Sequence, residues 1–229
     1  SDYRSVGLTK NTYNTKIELK SYHSIIGSKI NFKQFAAEGF YWTPRTDEIN
    51  LSLYGFWEQE LNEYDLLSSF RFSYLTIQPK KPFMIFSNLD SDKVINREFA
   101  YFSFSIGIKR NFDDLEFYSW LMNTMRAPQL EELYSDGPHL GTYSYEIGTP
   151  DLNLEKIYGF ESSIRYTASP FIVSLTTFYN YSPYYYQMSK IGHCEQEFVD
   201  GEDHPCAGAN YIEWGSGSSG WLYKYQTEG

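Results

Sequence analysis

Apolar and polar residues alternate one by one along most of this chain, the period-2 signature of a strand with two unlike faces. Between positions 49 and 58, Ile49, Leu51, Leu53 and Trp57 fall on one face, opposite Asn50, Ser52, Tyr54 and Glu58. Leu66, Ser68, Phe70, Phe72 and Tyr74 oppose Leu67, Ser69, Arg71 and Ser73. Phe102, Phe104, Ile106 and Ile108 oppose Tyr101, Ser103, Ser105 and Gly107. Phe171, Val173, Leu175, Thr177 and Tyr179 oppose Ser174, Thr176 and Asn180.

The pattern predicts about nine strands: 12–22, 28–35, 47–59, 65–76, 98–109, 114–124, 154–167, 171–182 and 220–226. Most are longer than the roughly 5–6 residues usual in soluble sheets, and close to the roughly 9–11 that cross a bilayer at a tilt. The links between them alternate. Short ones fall near 23–27, 60–64, 110–113 and 168–170, and long ones near 36–46, 77–97, 125–153 and 183–219. Tight turns at one end and long loops at the other are the asymmetry of an outer-membrane barrel. Alternation by itself also fits a soluble β-sandwich with one wet face.

The two faces differ as a barrel requires. Asn14, Lys16, Glu18 and Lys20 share one face of the first strand, with Ile17 and Leu19 on the other. In the strand 154–167, Glu155, Glu161 and Arg165 oppose Tyr158, Phe160, Ile164 and Tyr166. Charged residues suit a watery lumen, and Tyr and Trp near strand ends suit interfacial girdles.

Composition sharpens this picture. Aromatic residues make up 19% of the 229, including 22 Tyr and 17 Phe. The net charge of −10 argues against nucleic acid, whose phosphates need clustered Lys and Arg. No run approaches the roughly 18 apolar residues of a transmembrane helix. Neither end carries a starting or stopping signal, and the chain is expected to be one part of a longer barrel, spanning 1–229 with plug domain and C-terminal strands outside it.

Arg126-Ala127-Pro128-Gln129-Leu130-Glu131-Glu132-Leu133-Tyr134 resembles the R-A-P-x-x-x-E-L-Y signature of TonB-dependent receptor barrels. Pro150-Asp151-Leu152-Asn153-Leu154-Glu155 resembles the family element that opens the next strand, with Thr149 in place of the usual Asn and Leu154 in place of the common Pro. The motif residues are thus Arg126, Ala127, Pro128, Glu132, Leu133, Tyr134, Leu152 and Glu155. The stretches 13–20, 134–139 and 145–148 are similar to the zinc-uptake subgroup. The resemblance implies an antiparallel transmembrane β-barrel of 22 strands around a plug, in the outer membrane of a Gram-negative-type bacterium. It implies active import of a scarce ligand driven through the TonB complex, and lipid, TonB and a metal or metal chelate as partners. It further implies that Glu155, Glu161 or Arg165 faces the plug.

The residues also suggest a ligand. The loop from His193 to Cys206 holds two of the four histidines, both cysteines and five carboxylates. His193, Glu195, Asp200, Asp203 and His204 are candidate metal ligands, since zinc favours mixed His, Cys and carboxylate sets. Cys194 and Cys206 are candidates for a disulfide at an oxidising cell surface. A disulfide, a metal-capture loop, both together, or a plain solvated acidic loop remain open. His139, in another long link, is a further candidate ligand or a loop histidine bonded to its neighbours. His23, at a short turn, reads as structural.

Gly215-Ser216-Gly217-Ser218-Ser219-Gly220 matches G-x-G-x-x-G only formally, because no strand-then-helix unit surrounds it. No Ser-His-Asp arrangement or carboxylate pair indicates catalysis, and no cofactor is expected; zinc enters only as cargo. The expectation is a receptor fragment importing zinc or a metal chelate. The alternatives are a passive outer-membrane channel and a soluble carbohydrate-binding β-sandwich.

Overall fold

The computed structural model describes residues 6–39, 43–80, 89–139, 144–192, 211–213 and 221–228. Eight strands form one antiparallel meander: β1 (Val6–Lys20), β2 (Ser24–Gly39), β3 (Thr46–Leu61), β4 (Tyr64–Pro79), β5 (Arg97–Phe112), β6 (Leu115–Arg126), then β9 (Glu155–Ala168) and β10 (Phe171–Tyr184). Between β6 and β9 lie a single helical turn, α1 (Leu130–Tyr134), and two short strands, β7 (Asp136–His139) and β8 (Ser144–Ile147). After β10 come β11 (Gln187–Gly192), β12 (Tyr211–Glu213) and β13 (Trp221–Glu228). These form a second sheet in the order β11-β13-β8-β7, with β12 also on β13 and β8 running parallel to β13.

All nine expected strands form. Eight run in the main sheet; the ninth, placed at 220–226, is β13 and joins the second sheet instead. Most strands also extend beyond their expected ends, so the links are tighter. Ser21–His23, Asn62–Glu63, Asp113–Asp114 and Ser169–Pro170 are the turns, and Asn62 and Asp113 take positive φ there (54° and 38°). Asn and Asp tolerate that left-handed conformation better than other side chains. The long links leave the opposite end of the sheet, as expected.

Register fixes the faces, because a strand's side chains alternate. Lys16, Lys29, Ser52, Ser73, Tyr101 and Gly107 belong to the polar face. The other face is apolar and open: Ile17 is 64% exposed, Leu53 48%, Phe104 45% and Leu175 65%. In water such a surface would be an aggregation site; in lipid it is the solvated one. Trp57, Tyr64, Tyr158, Tyr166 and Tyr181 stand on it near strand ends. A β-sandwich would cover this face with a second sheet, and none does so among the described residues. β1 and β10 do not pair with each other, so the sheet is open here.

The buried core sits on the polar face, at the loop end. Leu75, Ile77 and Phe99 of β4 and β5 pack there against Ala127, Leu130, Leu133, Tyr134 and Leu152 from the link between β6 and β9. The long link thus folds inward over the sheet.

Candidate functional site

The Arg-Ala-Pro stretch explains how the link turns inward. Pro128 cannot extend the ladder of β6, since it has no N–H to donate. Gln129 then starts α1, and its N–H donates to the Glu132 carboxylate at 2.7 Å, satisfying one of the helix's orphan donors. Arg126, the last residue of β6, holds two carboxylates. Its Nη1 donates to both oxygens of Glu132, at 3.0 and 2.9 Å, and its Nε donates to Glu155 at 2.7 Å. Its guanidinium also lies 4.5 Å from the ring centroid of Tyr186. One cation therefore joins the end of β6, the turn α1 and the start of β9.

The turn is anchored from below. Leu133 and Tyr134 are fully buried. The Tyr134 hydroxyl donates to the Ile95 carbonyl at 2.6 Å, and burial pushes its pKa up to about 12 despite the opposing pull of Arg97. Burial likewise raises the pKa of Tyr186, with the Glu132 carboxylate adding to it. Arg97, at the start of β5, donates to the Pro150 and Leu152 carbonyls. Leu89 N–H donates to Asp136 at 2.8 Å. The Gly148 and Thr149 N–H groups donate to the Ser135 and Glu132 carbonyls, at 2.7 and 2.9 Å. A Cβ on Gly148 would lie 2.4 Å from the Leu133 carbonyl carbon, so only glycine allows this approach.

All eight motif residues, from Arg126 to Glu155, thus meet in one platform. It is a structural device: it sets the exit of β6, docks the link and sets the entry of β9. Asp136 and Gly148, from the stretches that resemble the zinc-uptake subgroup, complete it together with Arg97 and Tyr186, which gave no signal of their own because each acts through a partner far away in the chain.

The other expected residues are spread out. Glu155 is 4% exposed and held by Arg126. Glu161 stands further down β9, at the wall of a cavity of about 460 Å³ shared with Arg71, Trp120 and Thr124. Arg165 is near the turn end, beside Asp113, Asp114 and Glu116 around a cavity of about 320 Å³. A third cavity, of about 330 Å³, separates the platform residues Arg126, Pro128 and Gln129 from Lys10, Lys33 and Tyr101 on the sheet. His139 ends β7, its backbone opposite Ser144. His23 is at the first turn, 5.2 Å ring to ring from Tyr22. His193, Cys194, Glu195, Asp200, Asp203, His204 and Cys206 lie outside the described residues. Among those described, no three His, Cys, Asp or Glu side chains gather as a metal site.

The family model of the TonB-dependent receptor-like β-barrel matches residues 2–182, which contain the whole eight-stranded sheet except its last two residues. The chain belongs to this family. Its members are receptors that work as transporters, not enzymes, in the outer membrane of Gram-negative bacteria. Among solved structures the receptor barrel is similar to a hemophore receptor of Serratia marcescens, determined in complex with its hemophore and heme, at 9% identity and a TM-score of 0.57. It is similar as well to a copper transporter, at 11% identity and a TM-score of 0.64. Each likeness covers 97% of this chain, but only 36% and 33% of those chains, so the sequence spans about a third of their length. At such identities the likeness is one of fold. No curated protein sequence matches the chain.

Proposed function

We propose that this chain is part of the barrel of an outer-membrane receptor that imports zinc or a metal chelate, energised through TonB and a plug housed in the lumen. Family membership supports the receptor role. The apolar face then meets lipid, the polar face lines the lumen, and the loop end faces outward.

The observation that carries the ligand is the second sheet. β11 ends at Gly192, one residue before the His193–Cys206 loop, and the chain rejoins the same sheet at β12. β7, which ends at His139, is in that sheet too. A single loop-end sheet therefore carries the roots of the His/Cys/acid loop and the backbone of the third histidine. The chemistry of the donors favours a borderline-soft transition metal.

Zinc uptake by cells carrying the full-length receptor tests this. Replacing His139, His193 and His204 together with Ala is expected to reduce uptake under zinc limitation while leaving barrel insertion intact. Uptake equal to wild type would remove the metal-ligand assignment.

A further inference from the structure

Three consecutive tyrosines join the wall to the second sheet: Tyr184 ends β10, and Tyr185 and Tyr186 lead to β11. The structure gives them three environments. Tyr184 packs against the buried core, and its hydroxyl accepts from the Asn153 N–H at 3.1 Å. Tyr185 is 55% exposed. Tyr186 is 2% exposed and belongs to the core. Its ring centroid lies 4.5 Å from the Arg126 guanidinium and 6.2 Å from the Tyr184 ring, which meets it edge-on.

A bulge produces this departure from the wall. β10 pairs with β9 residue by residue from Phe171 to Tyr181, then resumes at Tyr184 opposite Lys156, one residue out of step. Pro183 falls in the gap and has no N–H to donate, so the ladder cannot run through it. The Ser182 hydroxyl lies 2.7 Å from the Lys156 carbonyl and 3.0 Å from that of Tyr184, bridging the slip with a side chain. A bulge bends its strand, and here the bend falls where the chain leaves one sheet for the other.

Two ties between the second sheet and the wall then converge on Arg126. One runs from β8 through Gly148 and Thr149, whose N–H groups bond the Ser135 and Glu132 carbonyls, to the Glu132 carboxylate that Arg126 holds. The other runs from β11 through Tyr186 to the guanidinium itself. Bonds to Glu132 and Glu155 fix the plane of that guanidinium, and a fixed plane gives a stacked ring one place to sit. The Tyr186 hydroxyl is buried without a hydrogen-bond partner among the described residues, so the ring and not the hydroxyl holds the residue.

We infer that Tyr186 is a positioning residue: stacked on Arg126, it fixes where β11 leaves the wall, and with it the root of the segment that begins at His193. Its effect on ligand affinity rests on the proposed import role. Its effect on β11 does not.

The test uses the full-length receptor with three substitutions. Tyr186→Met keeps apolar volume without the ring, Tyr186→Phe keeps the ring without the hydroxyl, and Arg126→Lys keeps a cation without the planar face. Heat-modifiable gel migration confirms folding, and Arg126→Lys decides if Tyr186→Met does not fold. In detergent micelles, hydrogen exchange of the 187–192 amides is expected to speed up about tenfold or more in Tyr186→Met and Arg126→Lys, while the β3–β5 amides stay as in the wild type. Tyr186→Phe exchanges as the wild type does. In cells given zinc chloride, Tyr186→Met should raise the half-saturating zinc concentration by a similar factor at an unchanged maximal rate, and Tyr186→Phe should restore it. Wild-type exchange in both ring-contact variants overturns the inference. So does a Tyr186→Phe that behaves like Tyr186→Met, or a loss of maximal rate alone, which marks a role in folding only. Absence of zinc uptake by the wild type defeats the import role, and the exchange rates still decide the placement of β11.

Discussion

Arg126 shows why one side chain can govern a long link. Its two carboxylate partners, Glu132 and Glu155, lie near the start and just past the end of the 127–154 segment, so removing it frees both ends at once. Glu155 is the sensitive partner, being 4% exposed while the Arg126 side chain is 39% exposed. Arg126→Ala leaves a buried carboxylate uncompensated and is expected to cost about 2 kcal/mol, reduced from the fully buried case by solvent screening on the Arg side. The checks are the thermal midpoint of the full-length receptor in detergent and proteolytic nicking within 127–154. Wild-type values for both would show that the ion pairs do not hold the link. Tyr134 adds a pH dependence. Its folded pKa, about 12, lies above the ordinary phenol value of 10.0, because burial disfavours phenolate. Its contribution is therefore complete below pH 10 and is lost as pH rises toward 12. Tyr134→Phe should soften that alkaline loss, at a cost of about 1 kcal/mol for the bond to Ile95. A melting-temperature series across pH 7 to 12 measures both effects.

At the scale of elements, the strands were legible and the short pieces were not. A strand with one face in lipid must alternate along its whole length, so β1 to β6, β9 and β10 announce themselves through residues such as Leu51, Leu53, Phe102 and Phe104. α1 is a five-residue helix and β7 and β8 are four-residue strands. Pieces so short have no periodicity to read and exist only through tertiary contacts. β13 was read correctly as a strand but not in its place, because parity says which side a residue faces and nothing about which strand is its neighbour. The motif residues were likewise legible as a set, through family resemblance, while their role in joining β6, α1 and β9 came only with the geometry. Gly148 illustrates the gap: the sequence marks it only as the end of a stretch similar to the zinc-uptake subgroup, while the geometry sets it against the backbone of α1. Gly148→Ala puts a methyl group 2.4 Å from the Leu133 carbonyl carbon, which cannot rotate away as a side chain could. The expected cost is about 1–3 kcal/mol, through separation of β8 from α1. Gly107→Ala is expected to cost less: its nearest contact is the Trp120 ring, also at 2.4 Å, and a ring can swing aside. Melting the two variants side by side checks the order; an equal loss would mean that the Gly148 arm shifts freely.

For the whole molecule, the decisive asymmetry is between two faces that share every strand. Ser105 and Phe104 are neighbours in β5, yet Ser105 bonds Ser69 across the polar face at 2.8 Å, while Phe104 is 45% exposed on the apolar one. If the apolar face meets lipid, an arginine there must be desolvated, at a cost of about 2–4 kcal/mol at mid-membrane depth, whereas a lumen position keeps its water. Phe104→Arg should thus impair insertion of the full-length receptor, and Ser105→Arg should be tolerated. Equal tolerance would contradict the orientation. The same asymmetry bears on the chain by itself. Its open apolar face and the outer edges of β1 and β10, unpaired among the described residues, invite association in water, because unpaired strand edges are templates for further strands. Circular dichroism and size-exclusion chromatography of the isolated 229-residue chain should show aggregation in buffer, with β-structure recovered only in detergent. A soluble, cooperatively unfolding monomer would mean that the apolar face is covered by something other than lipid, and would undo the barrel assignment at its root.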